Sequence, residues 1–249
     1  MNTGRWERAA EQYARGEHRR GEDLILAVDF ANPKQTDRVL DVGSGGGHMA
    51  LALSSRVASV VLTDPVQAML DASRTIFEEA GRANAEFVLA AAEELPFEAG
   101  AFEIVSSRLA AHHFRDLGRA WQEIRRVLKP FGVFVLVDTV APDHAESARF
   151  LHEVETLRDP THLHTLTRDQ WLRLDESNGF RVERSAVVRK AHEFEPWLER
   201  GGEDTATQEL VRERFRAAPP AIKRELVIEV RDGAVVSFTD RKLVLSAGR

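Results

Sequence analysis

From about residue 22 to 140, short apolar runs alternate with segments whose apolar residues recur every three or four positions. That rhythm predicts strands alternating with helices around a parallel sheet. Glu22 to Ala31 reads as a helix closed by Asn32-Pro33, because proline cannot continue it. RVLDVG (38–43) reads as a strand, followed by a glycine-rich turn and a helix from about His48. VASVVLTD (57–64) is the second strand, and Pro65 suits the first helical position with Asp64 as N-cap. The helix that follows sets Val66, Met69, Leu70, Ser73, Ile76 and Phe77 on one stripe and stops at Gly81. AEFVLAA (85–91) and AFEIVSSR (101–108) supply two more strands. Asp116 caps a helix that turns Leu117, Ala120, Trp121, Ile124, Val127 and Leu128 inward and ends at Lys129-Pro130, before the fifth strand, GVFVLVDTV (132–140).

After residue 140 the rhythm changes. Residues 141–166 show no clean period. Thr167 with Gln170 forms a capping box for a helix ending at Asn178-Gly179, and RVERSAVVR (181–189) reads as a strand. Residues 196–217 read as helical up to Pro219-Pro220, and the last segment reads as two strands joined at Asp232-Gly233. The expectation is a single domain over 1–249: an N-terminal arm (1–21), a ligand-binding core (22–140), insertions at 141–166 and 190–220 that cover its open end, and a C-terminal hairpin (225–249).

Composition narrows the function classes. The chain of 249 residues is 43% hydrophobic and 30% charged, an ordinary globular profile. Its formal charge of −6 and scattered arginines offer no basic surface for nucleic acid or an anionic membrane. With no cysteine there is no disulfide, thiolate metal site or cysteine nucleophile. The polar N-terminus lacks a signal-peptide core and no run approaches the roughly 18 apolar residues of a membrane span, so the expected location is cytoplasmic. A monomer and a homodimer stay equally open.

The sharpest chemical feature is VLDVGSGGGHMA: Asp41 closes a strand, and Gly43, Gly45 and Gly47 occupy the turn before a helix. Glycines serve where the backbone takes positive φ or meets a ligand closely, and open α/β sheets bind ligands at such strand ends. A nicotinamide dinucleotide site wants Gly or Ala where this chain has His48, and Asp41 is foreign to that fingerprint. A ligand with an ammonium and a carboxylate, but no pyrophosphate, suits both an acid and free amides. Asp64 stands where a carboxylate accepts ribose hydroxyls, though it serves equally as a helix cap. Met69 is placed to face an adenine or simply to fill the core.

Together these residues resemble the class I S-adenosylmethionine-dependent methyltransferases, in particular the branch of the ubiquinone/menaquinone-biosynthesis C-methyltransferases. VLDVGSGGGHMA is similar to the family's first motif and VVLTDPVQAML to its second. AAAEELPFEAGAFEIV resembles the adenine-binding segment and RRVLKPFGVFVLVD the fifth-strand block. The resemblance implies a Rossmann-like α/β fold with a seven-stranded, mostly parallel sheet, an antiparallel C-terminal hairpin and a lid of insertions. It implies S-adenosylmethionine as cofactor and S-adenosylhomocysteine as product. It assigns Asp41, Gly43, Gly45, Gly47, Asp64, Pro65 and Met69 to the cofactor, places Ala92 and Glu93 beside the adenine, and sets Ser107 to Leu109, with Arg108, at the methionine end. The family often has Asp where this chain has Ala91.

SSRLAAHHFRD (106–116) and LRDPTHLH (157–164) resemble a bacterial subgroup of methyltransferases without assigned substrates. His112 and His113 follow the fourth strand, and histidine titrates near neutrality, so His112, His113 or His162 can serve as general base or hydrogen-bond in the wall of the site. Arg158, Asp159, His162 and His164, with His113, are placed to reach a substrate or to tie the insertion to the body. His162-x-His164 raises a metal, but without a second ligand cluster none is expected. Phe150, Phe194, Trp197 and Phe215 point either to an apolar acceptor or to the packing of a helical lid. The expected activity is methyl transfer to a small molecule. The alternatives are a nicotinamide-dependent oxidoreductase, a cofactor-binding protein of this fold that does not methylate, and, disfavoured by charge, a nucleic-acid methyltransferase.

Overall fold

The structure is a computed structural model that describes residues 21–249, so the N-terminal arm up to residue 20 lies outside the described residues. Five strands run parallel: β1 (Arg38–Val42), β2 (Ser59–Asp64), β3 (Ala85–Leu89), β4 (Phe102–Arg108) and β5 (Leu128–Thr139). Three are antiparallel: β6 (Arg181–Glu193), β7 (Glu229–Arg231) and β8 (Ala234–Gly248). The order across the sheet is β3-β2-β1-β4-β5-β8-β6, with β7 paired to the start of β8. This is the Rossmann-like arrangement, with eight strands instead of seven because the hairpin adds the short β7. The hairpin turns at Asp232 and Gly233, both at positive φ (50° and 79°), as a two-residue turn requires.

Strand alternation makes two apolar layers. β1 sends Leu40 and Val42 to one face and Val39 to the other. On the first face they meet Trp121 and Ile124 of α4 (Leu117–Val127) and Trp171 of α6 (Arg168–Ser177). On the second lie α1 (Glu22–Ala31), α2 (His48–Ser54) and α3 (Gln67–Glu79). The capping box at Thr167 and Gln170 is present, and Asp116 caps α4 through Arg119 N. Among the described residues no helix is long and apolar enough to cross a membrane.

Several boundaries differ from the sequence reading. The helix after β2 starts at Gln67, not Pro65. Val66 is extended (φ −114°) and is the N-cap, while the Asp64 carboxylate is drawn back toward the glycine turn. β5 begins at Leu128, running through Lys129-Pro130, and β6 continues to Glu193. The aperiodic 141–166 contains α5 (Ala145–Arg158), hidden because its inward face buries Ser147 and Glu155 beside Phe150, Leu151 and Val154. The segment 196–217 divides into α7 (Phe194–Glu199) and α8 (Thr205–Ala217) around Gly201 and Gly202, and Pro220 opens a further helix, α9 (Pro220–Glu225). These later helices share a separate apolar cluster in which Phe215 lies 4.8 Å from Phe194, 5.3 Å from Phe150 and 5.6 Å from Trp197, centroid to centroid. That cluster forms a cap over one end of the sheet, and its aromatic residues are chiefly cap packing.

Candidate active site

A cleft of about 180 Å³ opens at the C-terminal ends of β1, β2, β4 and β5. It lies where the strand order reverses on either side of β1, the position at which open α/β sheets take ligands. The glycine turn forms its floor. Gly43, Gly45 and Gly47 all have positive φ (66°, 49° and 73°). A Cβ at Gly43 would lie 2.7 Å from Ala110 Cβ, whereas one at Gly45 would meet nothing within 4 Å, so the backbone there faces open space. Ser44 Oγ is buried without a hydrogen-bond partner among the described residues.

Two carboxylates flank this turn. Asp41 accepts from Ser106 Oγ (2.8 Å) and Ala50 N (3.3 Å), and its burial pushes its pKa up to about 6. Asp64 accepts from Val66 N (2.9 Å) and Gly45 N (3.0 Å), and burial likewise pushes it to about 6. Where β4 ends, Leu109 is held in the left-handed region (φ 54°) by a 2.7 Å bond from its N–H to the Val137 carbonyl. A non-glycine residue in that conformation is strained, and such residues gather at functional sites. Arg108, beside it, forms a buried ion pair with Asp23 of α1 at 2.6 Å.

The opposite end of the cleft is polar. His112 and His113, in a short 3-10 turn (Ala111–His113), lie with ring centroids 4.0 Å apart, and His162 sits 4.8 Å from His112. His113 Nδ1 donates to the Thr161 carbonyl (2.9 Å), and His164 Nε2 donates to the Phe114 carbonyl (2.8 Å). The amides of Leu163 and His164 reach the His112 carbonyl at 2.9 and 3.2 Å, so the loop after α5 is fastened to the turn after β4. His162 bonds Thr165 Oγ1 at 2.7 Å, and burial pushes its pKa down to about 3, which keeps it neutral. Arg158 binds Glu155 (3.1 Å) and lies over the Trp197 ring at 4.6 Å. From β8, Lys242 donates to Asp240 (2.6 Å) and Thr139 Oγ1 (2.8 Å), while Asp240 lies 3.1 Å from His192.

Residues 40–136 match the family described as methyltransferase domain. The chain is 35% identical over 182 residues to the uncharacterized methyltransferase YcgJ of Bacillus subtilis, spanning 73% of this chain and 72% of that protein. The crystal structure of YcgJ superposes with a TM-score of 0.86 at 29% identity, covering 91% of this chain and 97% of the other. This chain belongs to the class I methyltransferases. It also matches the demethylmenaquinone methyltransferase of Thermus thermophilus, 37% identical over 118 residues (47% of this chain, 53% of that one). At the level of fold alone it resembles a geranyl diphosphate C-methyltransferase from Streptomyces coelicolor bound to S-adenosyl-L-homocysteine (TM-score 0.60, 17% identity, 91% and 77% coverage).

In this methyltransferase the cleft brings together Asp41, Gly43, Gly45, Asp64, Pro65, Met69 and Arg108 at one end and His112, His113, Arg158 and His162 at the other. Four of the expected residues are not in its wall. Gly47 packs its Cα side against Ser73 and Leu62, and His164 turns to the Phe114 carbonyl. Ala92 belongs to the apolar core, and the Glu93 carboxylate accepts from Arg115 N (2.7 Å) and Asp116 N (3.3 Å). Met69 is buried on α3 and lines the cleft. Sequence reasoning passes over Glu155, His192, Asp240 and Lys242, which also line the cleft, and over Asp23 and Asp138, which back it. Only Asp138 carried a signal: like Asp41 and Asp64 it is an acid closing an apolar strand run.

Proposed function

We propose that this protein transfers the methyl group of S-adenosylmethionine to a small acceptor held between the glycine turn and the cap. The observation that carries this reading is the pair of buried carboxylates, Asp41 and Asp64, on either side of an open backbone turn. Asp64 has lone pairs to spare for ribose hydroxyls. The unpartnered Ser44 Oγ and the space above Gly45 suit a polar ligand that touches backbone. Asp41 and its neighbours suit an ammonium better than a pyrophosphate, which no cationic side chain of the turn would neutralise. The S-adenosylhomocysteine bound to a protein of the same fold agrees with this assignment. When bound, the sulfonium supplies an already activated methyl group.

The chain's own contribution is then position and exclusion of water. Holding an acceptor in line with the methyl group lowers the barrier by up to about 7–11 kcal/mol. The cap residues 141–166 and 190–220 serve as lid and acceptor wall in this reading, with His112, His113 and His162 along that wall. The polar lining by Asp240, Lys242 and His192 favours an acceptor with hydrogen-bonding groups over a purely apolar one.

Calorimetric titration with S-adenosylmethionine, S-adenosylhomocysteine and NAD in parallel tests the reading. Micromolar binding of the first two with none of NAD is expected. Binding of NAD alone would replace the methyltransfer reading with a dehydrogenase one.

A further inference from the structure

Behind His112 stands a carboxylate that binding and positioning leave unused. Asp138, near the end of β5, is fully buried. Two backbone amides hold it: Thr139 N donates to Oδ1 at 2.6 Å and His112 N donates to Oδ2 at 3.2 Å. His112 Nδ1 completes the set, 2.6 Å from Oδ1. A carboxylate fixed by two donors accepts from that nitrogen, so Nδ1 carries the imidazole proton and Nε2 keeps its lone pair. The anchoring of the 3-10 turn to β5 is already achieved by the amide bond to Oδ2. What the Nδ1 contact adds is a choice of tautomer.

The surroundings keep the ring in its neutral form. Burial, and next the charge of His113, push the His112 pKa well down. Burial pushes Asp138 up, opposed by the Thr139 amide and the Lys242 charge. The groups facing the pair come from every element around it: His113 from its own turn, Glu155 from α5, Asp159 and His162 from the loop beyond, and Lys242 from β8. His112 lines the ligand cleft, and a neutral imidazole there is a proton acceptor.

We infer that Asp138 is the positioning residue of a His112–Asp138 pair that removes a proton from the acceptor, and that the acceptor is therefore a protonated nucleophile, a hydroxyl or an acidic carbon–hydrogen group. The inference rests on the methyl-transfer reading above. In the step it describes, the acceptor's bond to hydrogen breaks and the proton passes to His112 Nε2. The electron pair left behind forms the bond to the methyl carbon, and the pair of the breaking carbon–sulfur bond stays on sulfur. The proton later leaves to water, so no oxidant, reductant or further reactant is needed. An acceptor already anionic at neutral pH, such as a carboxylate, gives this pair nothing to do.

The test uses the full chain with histidine-selective nitrogen-15 labelling. Two-bond nitrogen–proton correlations read each ring's tautomer without any substrate. In parallel, tritiated S-adenosylmethionine with a small-molecule cell extract as acceptor pool reads turnover, and calorimetry reads cofactor affinity. The expected result is the Nδ1–H tautomer for His112 and its loss or mixing in Asp138→Asn. Turnover should fall by roughly 10²–10⁴-fold in that variant, with cofactor affinity unchanged. His112→Gln, which leaves the buried Asp138 in place, should show the same fall and decides the matter if Asp138→Asn does not fold. An Nε2–H tautomer in the unaltered protein, or full turnover in His112→Gln, overturns the inference. Absence of any cofactor binding or methyl transfer by the unaltered protein overturns the methyl-transfer reading itself, and this inference with it.

Discussion

At the glycine end of the cleft, Asp41, the turn and Asp64 come from one stretch of chain spanning two strands with the turn and α2 between them. At the cap end, the wall is gathered from the turn at 111–113, the end of β5, α5 and its following loop, the end of β6 and the middle of β8. The first end is shaped by backbone: positive-φ glycines, amides and carboxylates at strand ends. The second is shaped by side chains that neutralise one another, Lys242 with Asp240 and Arg158 with Glu155, under an apolar cluster of their own. A site built from one continuous backbone turn can bind its ligand with little rearrangement. A site shared between sheet and cap depends on the cap staying packed, and this separation can be tested one end at a time.

The largest effect should come from breaking the cap. Phe215 is fully buried at the centre of the aromatic cluster, so Phe215→Ala should cost about 3–5 kcal/mol where it packs. Hydrogen exchange should show faster opening of α5, α7 and α8 with little change in α2 and α3. Cofactor affinity measured by calorimetry should stay within about threefold, because a cap cluster separate from the sheet layers opens locally. A uniform loss of protection across the sheet would show instead that the two ends stand or fall together.

Next comes the opposite break. Asp64→Ala removes the carboxylate proposed for the ribose and leaves the Gly45 and Val66 amides without their acceptor. Cofactor affinity should fall by at least about 100-fold, roughly 2.7 kcal/mol, while exchange protection in the cap is retained. Unchanged affinity in this variant would sink the assignment of the glycine end to a nucleoside.

This contrast explains what was legible in the sequence. The parallel strands and the glycine turn could be read because each rests on neighbours in the chain: an apolar run, an acid at its end, a glycine where φ must be positive. Asp64 shows the limit, since a helix-capping role and a ligand role predict the same residue, and its bond from Gly45 N spans 19 positions. α5 was missed because a helix that buries Glu155 and Ser147 has no clean apolar stripe. Lys242 and Asp240 sit in a strand whose pattern merely looks charged at its middle. The bond from Lys242 to Thr139, 103 positions away, leaves no local trace.

A subtler break of the glycine end is Gly43→Ala. The new Cβ would meet Ala110 Cβ at 2.7 Å, at a φ of 66° that disfavours any side chain. A loss of about 1–3 kcal/mol in global stability is expected, together with weaker cofactor binding, because Ala110 belongs to the turn that carries the histidines. Chemical denaturation checks the first and calorimetry the second. If stability falls with affinity intact, the turn's role is packing and the carboxylates alone define the ligand site.

Proton linkage gives the smallest effect and tells the two ends apart without structural damage. Asp41 has a folded pKa of about 6 against 3.8 for the unconstrained group, so the folded state binds more protons between those values. Stability from this group therefore rises as pH falls through about 6 toward 4, by on the order of 1–3 kcal/mol. At the cap end the sign is reversed. Lys242 and His192 hold Asp240 below its ordinary value and Arg158 does the same for Glu155, each against burial. Their contribution is intact above the ordinary carboxylate range and is lost as pH falls below it. Asp41→Asn keeps an acceptor for Ala50 N and a donor for Ser106 Oγ while removing the buried charge. It should be more stable than the parent by about 1 kcal/mol at pH 8 and equal to it near pH 5. Thermal unfolding of the two proteins across that range measures the difference. A gap that stays constant with pH would mean that Asp41 is not the group being relieved, and that the glycine end carries its charge without strain.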